Sequence, residues 1–169
     1  MKNLWAPWRM DYVTDSRRRK DECIFEAGEE APFYKDGLVL YRDRRLVVLL
    51  NRYPYANGHL LIGPARHVGD LADLEAGEEA ALMAMLRRAS GILRRRLRPD
   101  GLNIGLNLGA AAGAGLVDHL HFHVVPRWRD DHNFISVLAE VRTIPEHLET
   151  TFDRLVPDFQ ELREEKGRL

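Results

Sequence analysis

Three histidines in strict alternation, within Asp118-His119-Leu120-His121-Phe122-His123-Val124-Val125-Pro126, constrain this chain more than any other stretch. Side chains on a strand point alternately to opposite faces, so His119, His121 and His123 share one face while Leu120, Phe122 and Val124 share the other. The apolar face needs a core beneath it. The imidazole face can line a site, and three histidines at this spacing outweigh the structural role that a lone strand histidine would usually have.

The rest of the sequence supplies that core. Leu38 to Tyr41 and Leu46 to Asn51 are β-prone runs on either side of Arg42-Asp43-Arg44-Arg45, which predicts a hairpin with a polar turn. Gly58 to Pro64 offers a third strand after the turn Pro54-Tyr55-Ala56-Asn57-Gly58. From Asp73 the period changes: Leu82, Met85, Leu86, Ala89, Ile92, Leu93 and Leu97 recur at helical spacing, with Asp73 as N-cap and Pro99 ending the run. Asp100-Gly101 turns into a strand over Leu102 to Leu106, and Leu120 to Pro126 is the last strand. Pro145 to Leu162 returns to helix, interrupted at Pro157. Strands, then a helix, then strands, joined by short connections, favour an antiparallel α+β sheet over alternating βαβ units.

At 169 residues, 45% of them hydrophobic and 30% charged, the chain fits one soluble globular domain. Its net charge of -1 excludes bulk attraction to nucleic acid, so any anion site must be local. The longest apolar run, Leu46 to Leu50, is too short to span a bilayer, and the first residues lead into no signal-peptide core. The expected compartment is the cytoplasm and no membrane partner is expected. A single cysteine, Cys23, excludes an intramolecular disulfide framework and leaves either a buried thiol or a metal ligand.

Three imidazoles on one face suit either a metal site or nucleophilic and acid chemistry at phosphorus. The preceding Gly105-Leu106-Asn107-Leu108-Gly109-Ala110-Ala111-Ala112-Gly113-Ala114-Gly115 permits turns whose backbone N–H groups point at an anion, which suits phosphate and is unnecessary for a bare metal. Upstream, Asn51-Arg52-Tyr53-Pro54-Tyr55-Ala56-Asn57-Gly58-His59 adds a fourth histidine and an amide able to read a ribose hydroxyl or to cap a turn.

These two segments together resemble the histidine-triad (HIT) superfamily, whose pattern is H-x-H-x-H before apolar residues, with N-x-x-P-x-x-x-G-H upstream. The resemblance covers roughly Cys23 to Trp128. Leu4-Trp5-Ala6-Pro7-Trp8-Arg9, Gly113-Ala114-Gly115-Leu116-Val117-Asp118-His119 and Val125-Pro126-Arg127-Trp128 look most like a bacterial branch that includes diadenosine tetraphosphate phosphorylases. It implies one HIT domain over residues 1–169, with an amino-terminal arm at 1–22 and a helical extension at 145–169. Its fold would be an antiparallel sheet of about five strands with one long and one C-terminal helix.

The implied activity is cleavage of a dinucleoside polyphosphate or other purine nucleotide through a nucleotidyl-histidine, with phosphate or water as acceptor and no cofactor required. His121 would be the nucleophile. His119 and His123 would bind phosphate and protonate the leaving group, His59 would support them, Asn51 would hold ribose, and Asn107 would lie beside the phosphates. Many family hydrolases carry Gln and Ser or Thr where this chain has Ala114 and Gly115, which leaves the backbone N–H groups of Gly113, Ala114 and Gly115 as phosphate donors. The alternatives are a nucleoside phosphoramidase and a nucleotide-binding sensor with little turnover. The resemblance also implies a homodimer, to which the apolar long helix, Trp5 and Trp8 add weak support.

Some relatives bind zinc through C-x-x-C and two histidines. Here the corresponding set is Cys23, Glu26, His67 and His119, and a carboxylate is an acceptable zinc ligand, so a structural zinc remains open beside the reading of Cys23 as a buried thiol.

Overall fold

The computed structural model describes residues 23–26, 35–129, 131 and 146–167. The arm at 1–22, with Trp5 and Trp8, lies outside the described residues.

Five strands form one antiparallel sheet: β1 (Val39–Arg42), β2 (Leu46–Leu50), β3 (Leu60–Pro64), β4 (Gly101–Leu106) and β5 (Phe122–Arg127), in the spatial order β1-β2-β3-β5-β4. Every residue of β2 and β3 is buried. These central strands are covered on both faces, which is why they read as continuous apolar runs rather than as alternation. The hairpin turn between β1 and β2 is held by Asp43, whose Oδ1 accepts the N–H groups of Arg45 (2.8 Å) and Leu46 (3.0 Å).

Helix α1 (Ala76–Leu97) and helix α2 (Leu148–Gly167) cover one face. Leu82, Met85, Leu86, Ala89, Ile92 and Leu93 of α1 and Phe152, Leu155 and Phe159 of α2 share one core with Leu40, Val48, Leu50, Leu60, Ile62 and Val124 of the sheet. Each buried Leu, Ile or Phe contributes about 1.5–3 kcal/mol, so this layer dominates the fold's stability. Arg95 and Arg96 of α1 reach the buried carboxylate of Asp158 on α2, at 3.3 and 2.5 Å, and tie the helices together.

The helix boundaries differ from the sequence reading in two places. The N-cap of α1 is Glu75, in a reciprocal capping box with Glu78, whereas Asp73 closes a short 3-10 turn capped by Asp70. Helix α2 begins at Leu148 and runs through Pro157 without interruption. The missing N–H there forfeits one bond, which burial of Leu155 and Phe159 on either side outweighs.

On the opposite face of the sheet Val39, Val47, Leu49 and Leu61 pack with Cys23 and Phe25. This is the side on which the histidines lie: His123 sits opposite Leu61 of β3 and Gly105 of β4. A Cβ at Gly105 would meet nothing within 4 Å, so the sheet is open beside His123. Among the described residues no helix is long and apolar enough to cross a membrane.

Candidate active site

The last strand starts at Phe122, two residues later than its apolar pattern suggests, so only His123 of the three alternating histidines lies within it. The cause is local. Pro64 on β3 has no N–H with which to extend the ladder. The Leu120 N–H turns instead to the Val68 carbonyl (2.7 Å), and the His119 Nε2–H donates to the Pro64 carbonyl (2.9 Å).

Hydrogen bonds assign the histidine tautomers. His59 Nδ1 faces two donors, the Tyr55 N–H at 3.1 Å and the Asn51 Nδ2 at 3.2 Å, so it is the acceptor and the ring proton sits on Nε2. That Nε2–H donates to His123 Nδ1 at 3.0 Å. The remaining His123 proton is therefore on Nε2, as a donor. His121 is set the other way: its Nδ1–H donates to the His119 carbonyl at 2.8 Å, which leaves Nε2 with a free lone pair. Neighbouring rings thus present one acceptor and one donor, with centroids 5.0 Å apart.

His119 is fully buried, with Nε2 on Pro64 and Nδ1 3.2 Å from the Cys23 thiol. Both its nitrogens are engaged away from phosphate. Asn51 spans the upstream loop, accepting the Tyr53 N–H at Oδ1 (3.0 Å) and approaching His59 through Nδ2. It retains a second lone pair and a second N–H for a ribose hydroxyl. Asn107 is half-buried at the end of β4. In the following loop the Gly113 N–H closes on the Ala110 carbonyl (3.0 Å) and the Ala114 N–H on the Gly109 carbonyl (3.3 Å), so two of the expected phosphate donors serve the turn itself.

Burial holds all three triad imidazoles below the ordinary histidine range. It is the main cause for His119 and for His121, and for His123, pushed down to about 4, the nearby His121 adds to it. These rings are neutral near pH 7. Between the unfolded value of about 6.5 and about 4, unfolded chains bind a proton at position 123 that folded chains refuse, so stability must fall as pH falls through that window. From pH 7 to pH 5 His123 alone should cost about 2 kcal/mol. Urea midpoints measured at the two pH values should show this drop, and His123→Asn should reduce it. A flat profile in the wild type would contradict a buried neutral His123.

Cys23, Glu26, His67 and His119 come together, with one donor atom from each lying within 4.8 Å of the others. His67 Nδ1–H already donates to Glu26 at 2.8 Å, and Cys23 is hydrogen-bonded to His119. Tetrahedral zinc at ordinary bond lengths would hold such donors roughly 3.3–3.6 Å apart. A closed site would need the two hydrogen-bonded pairs, at 2.8 and 3.2 Å, to open slightly and the wider separations, up to 4.8 Å, to close. The inner half, Cys23 and His119, is buried, whereas in the outer half Glu26 is half-buried and His67 exposed.

Two site residues escaped the sequence reading. Phe25, inside the C-x-x-E segment, stacks on His119 at a centroid distance of 4.5 Å. Tyr55 covers the hydrogen-bonded pair of His59 and His123, with centroids 4.7 and 5.9 Å away. The segments containing both were recognised, but nothing in their spacing specifies a ring contact.

Comparison with known proteins agrees with this geometry. A family profile described as HIT domain matches residues 34–130. An AP-4-A phosphorylase of Mycobacterium tuberculosis is 40% identical over 158 residues, covering 89% of this chain and 80% of that protein. The asymmetrical bis(5'-nucleosyl)-tetraphosphatase of Schizosaccharomyces pombe is 32% identical over 93 residues, covering 55% of this chain and 50% of its own length. Among solved structures, a Zn-bound histidine triad family protein from Mycobacterium smegmatis superposes with a TM-score of 0.63 at 30% identity, covering 85% of this chain and 96% of that one.

Proposed function

The chain belongs to the HIT-domain family, and from that premise we propose that it cleaves dinucleoside polyphosphates such as diadenosine tetraphosphate through a nucleotidyl-histidine on His121. The observation that carries this reading is the opposed tautomers of His121 and His123, a lone pair beside an N–H donor on an open stretch of the sheet. The phosphorylase and tetraphosphatase named among the relatives support the substrate class.

In this reading His121 Nε2 attacks the α-phosphorus, an Nε2–P bond forms, and the bond from phosphorus to the bridging oxygen breaks. With diadenosine tetraphosphate the departing group is ATP and the enzyme holds AMP. His123, neutral at pH 7, acts through its Nε2–H as a hydrogen-bond donor to the phosphoryl oxygens. A polyphosphate leaving group is stable as an anion and needs no full proton from it. His59 fixes the His123 tautomer. His119 shapes the site through its carbonyl, which orients His121, rather than by touching phosphate. In the second step phosphate or water attacks the nucleotidyl group and restores free His121, giving ADP or AMP. Splitting one displacement into two in this way is the general benefit of a covalent nucleophile.

Product analysis tests the reading. Diadenosine tetraphosphate should yield ATP, together with ADP when phosphate is the acceptor or AMP when water is. No cleavage in either condition, with stoichiometric binding, would favour a nucleotide sensor.

The four-donor cluster fits a structural zinc, which would supply charge neutralisation and a cross-link between the Cys23–Glu26 turn and His119. Binding would release the proton that burial holds on the Cys23 thiol. Metal held at a thousandfold over its Kd adds about 4 kcal/mol, so chelation should lower the Tm by on the order of 10 °C, and Glu26→Cys should tighten binding. Substoichiometric zinc that added metal cannot restore would leave Cys23 a buried thiol.

A homodimer is also proposed. Strand β4 is a sheet edge, and its Ile104 is 47% exposed, which suits pairing with a second copy. Light scattering at micromolar concentration should give twice the chain mass; a monomer mass would remove this claim. A cytoplasmic setting accords with these substrates.

A further inference from the structure

Phe25 is completely buried although it lies in a turn closed by the Glu26 N–H on the Cys23 carbonyl (3.0 Å). Its ring is stacked on His119 at 4.5 Å and 14°, and lies 5.6 Å from His121 at a 38° tilt. Its carbonyl accepts Arg42 Nη2 at 2.7 Å, from a buried guanidinium on β1. Below the ring, Gly63 leaves the room it occupies: a Cβ there would lie 3.0 Å from Phe25 Cε1. The ring is therefore held by the backbone, by its carbonyl and by the absence of a side chain beneath it.

We propose that Phe25 is a positioning residue for His121, a fixed wedge that stops the imidazole from swinging and keeps Nε2 aimed at the open face of the sheet. This rests on the reading of His121 as nucleophile. The hydrogen bond from Nδ1 to the His119 carbonyl restrains one edge of the ring, but a planar ring held at one edge still rocks, because the torsion at its sp² carbon has a broad well. The Phe25 ring fills the space into which it would rock. Being fully buried, Phe25 acts through His121 and presents no surface to substrate. The Arg42 guanidinium anchors the wedge from the far side, outside the reacting groups.

The test separates positioning from binding. In Phe25→Ala, Phe25→Leu and Arg42→Met, the single-turnover rate of nucleotidyl-enzyme formation is measured with diadenosine tetraphosphate. Affinity is measured with a non-cleavable dinucleoside polyphosphate analogue, and zinc content by elemental analysis. The rate should fall on the order of 10²-fold in Phe25→Ala, as expected for a misaimed reacting group. It should recover by about tenfold in Phe25→Leu and fall less in Arg42→Met, with affinity within about threefold of wild type throughout. Phe25→Leu and Arg42→Met keep the test usable if Phe25→Ala does not fold. An unchanged rate, or weakened affinity at an unchanged rate, would overturn the proposal; the latter would make Phe25 part of the substrate wall. Recovery of the variants' rate on adding zinc would also overturn it, by assigning Phe25 to the metal site alone. Failure of the wild type to form any nucleotidyl-enzyme would instead defeat the reading of His121 on which the proposal rests.

Discussion

His121→Ala is expected to lower turnover of diadenosine tetraphosphate by at least about 10³-fold, about 4 kcal/mol of barrier, while leaving the fold and most nucleotide affinity in place. The substitution removes the one triad lone pair that these hydrogen bonds leave unoccupied among the described residues, since His123 Nδ1 is taken by His59 and His119 Nδ1 by Cys23. Few binding contacts go with it. The stability cost should be about 1 kcal/mol, because the buried ring makes one hydrogen bond to a carbonyl and ring contacts with Phe25 and His123. Steady-state rates, with circular dichroism and calorimetric binding as controls, check the prediction. A variant retaining more than about a tenth of wild-type activity, a difference under about 1.4 kcal/mol, would mean that another group attacks.

Gly63→Ala should damage both the fold and the site. Gly63 lies in β3 opposite Val47, and a Cβ there would come 2.7 Å from the Leu120 carbonyl as well as 3.0 Å from Phe25. Neither neighbour can give way cheaply: one is backbone between His119 and His121, the other is the ring packed against both. Relief requires the Leu120 backbone to move, and its N–H is held on the Val68 carbonyl. Overpacking of this kind costs about 1–3 kcal/mol, and a shift of about 1 Å at a reacting group costs on the order of 10²-fold in rate. Urea denaturation and kcat should both report it. A variant within twofold of wild type in rate and unchanged in midpoint would show that the strand accommodates a methyl, and that the histidines are less tightly set than described.

The site was legible in the sequence where chemistry repeats with a strand's period. Alternation placed His123 on the face opposite the apolar core residues, and the period of α1 identified the residues that bury against the sheet; its place beside Leu61 came from the structure. What period could not report was pairing. Pro64 cannot continue the ladder, so His119 and His121 precede β5 and His119 turns its ring to the Cys23 side. The same holds for the Gly-Ala loop, where sequence marks a turn but not which N–H groups the turn itself consumes. Asp73 and Glu75 are both acceptable caps by residue type; the reciprocal bonds with Glu78 decide for Glu75. Phe25 was silent for a different reason. The ring contact between Phe25 and His119 is set by two distant segments crossing the same face of the sheet, and it leaves no local pattern.

The central claim is a covalent bond between His121 and the nucleotide. Wild-type protein quenched in acid-free denaturant within the first turnover of diadenosine tetraphosphate should carry one adenylyl group, mapped by peptide mass to His121, formed in a burst equal to the enzyme concentration and discharged faster when phosphate is added. Product formation with no adduct at any time within that turnover, or an adduct mapped to another residue, would contradict it.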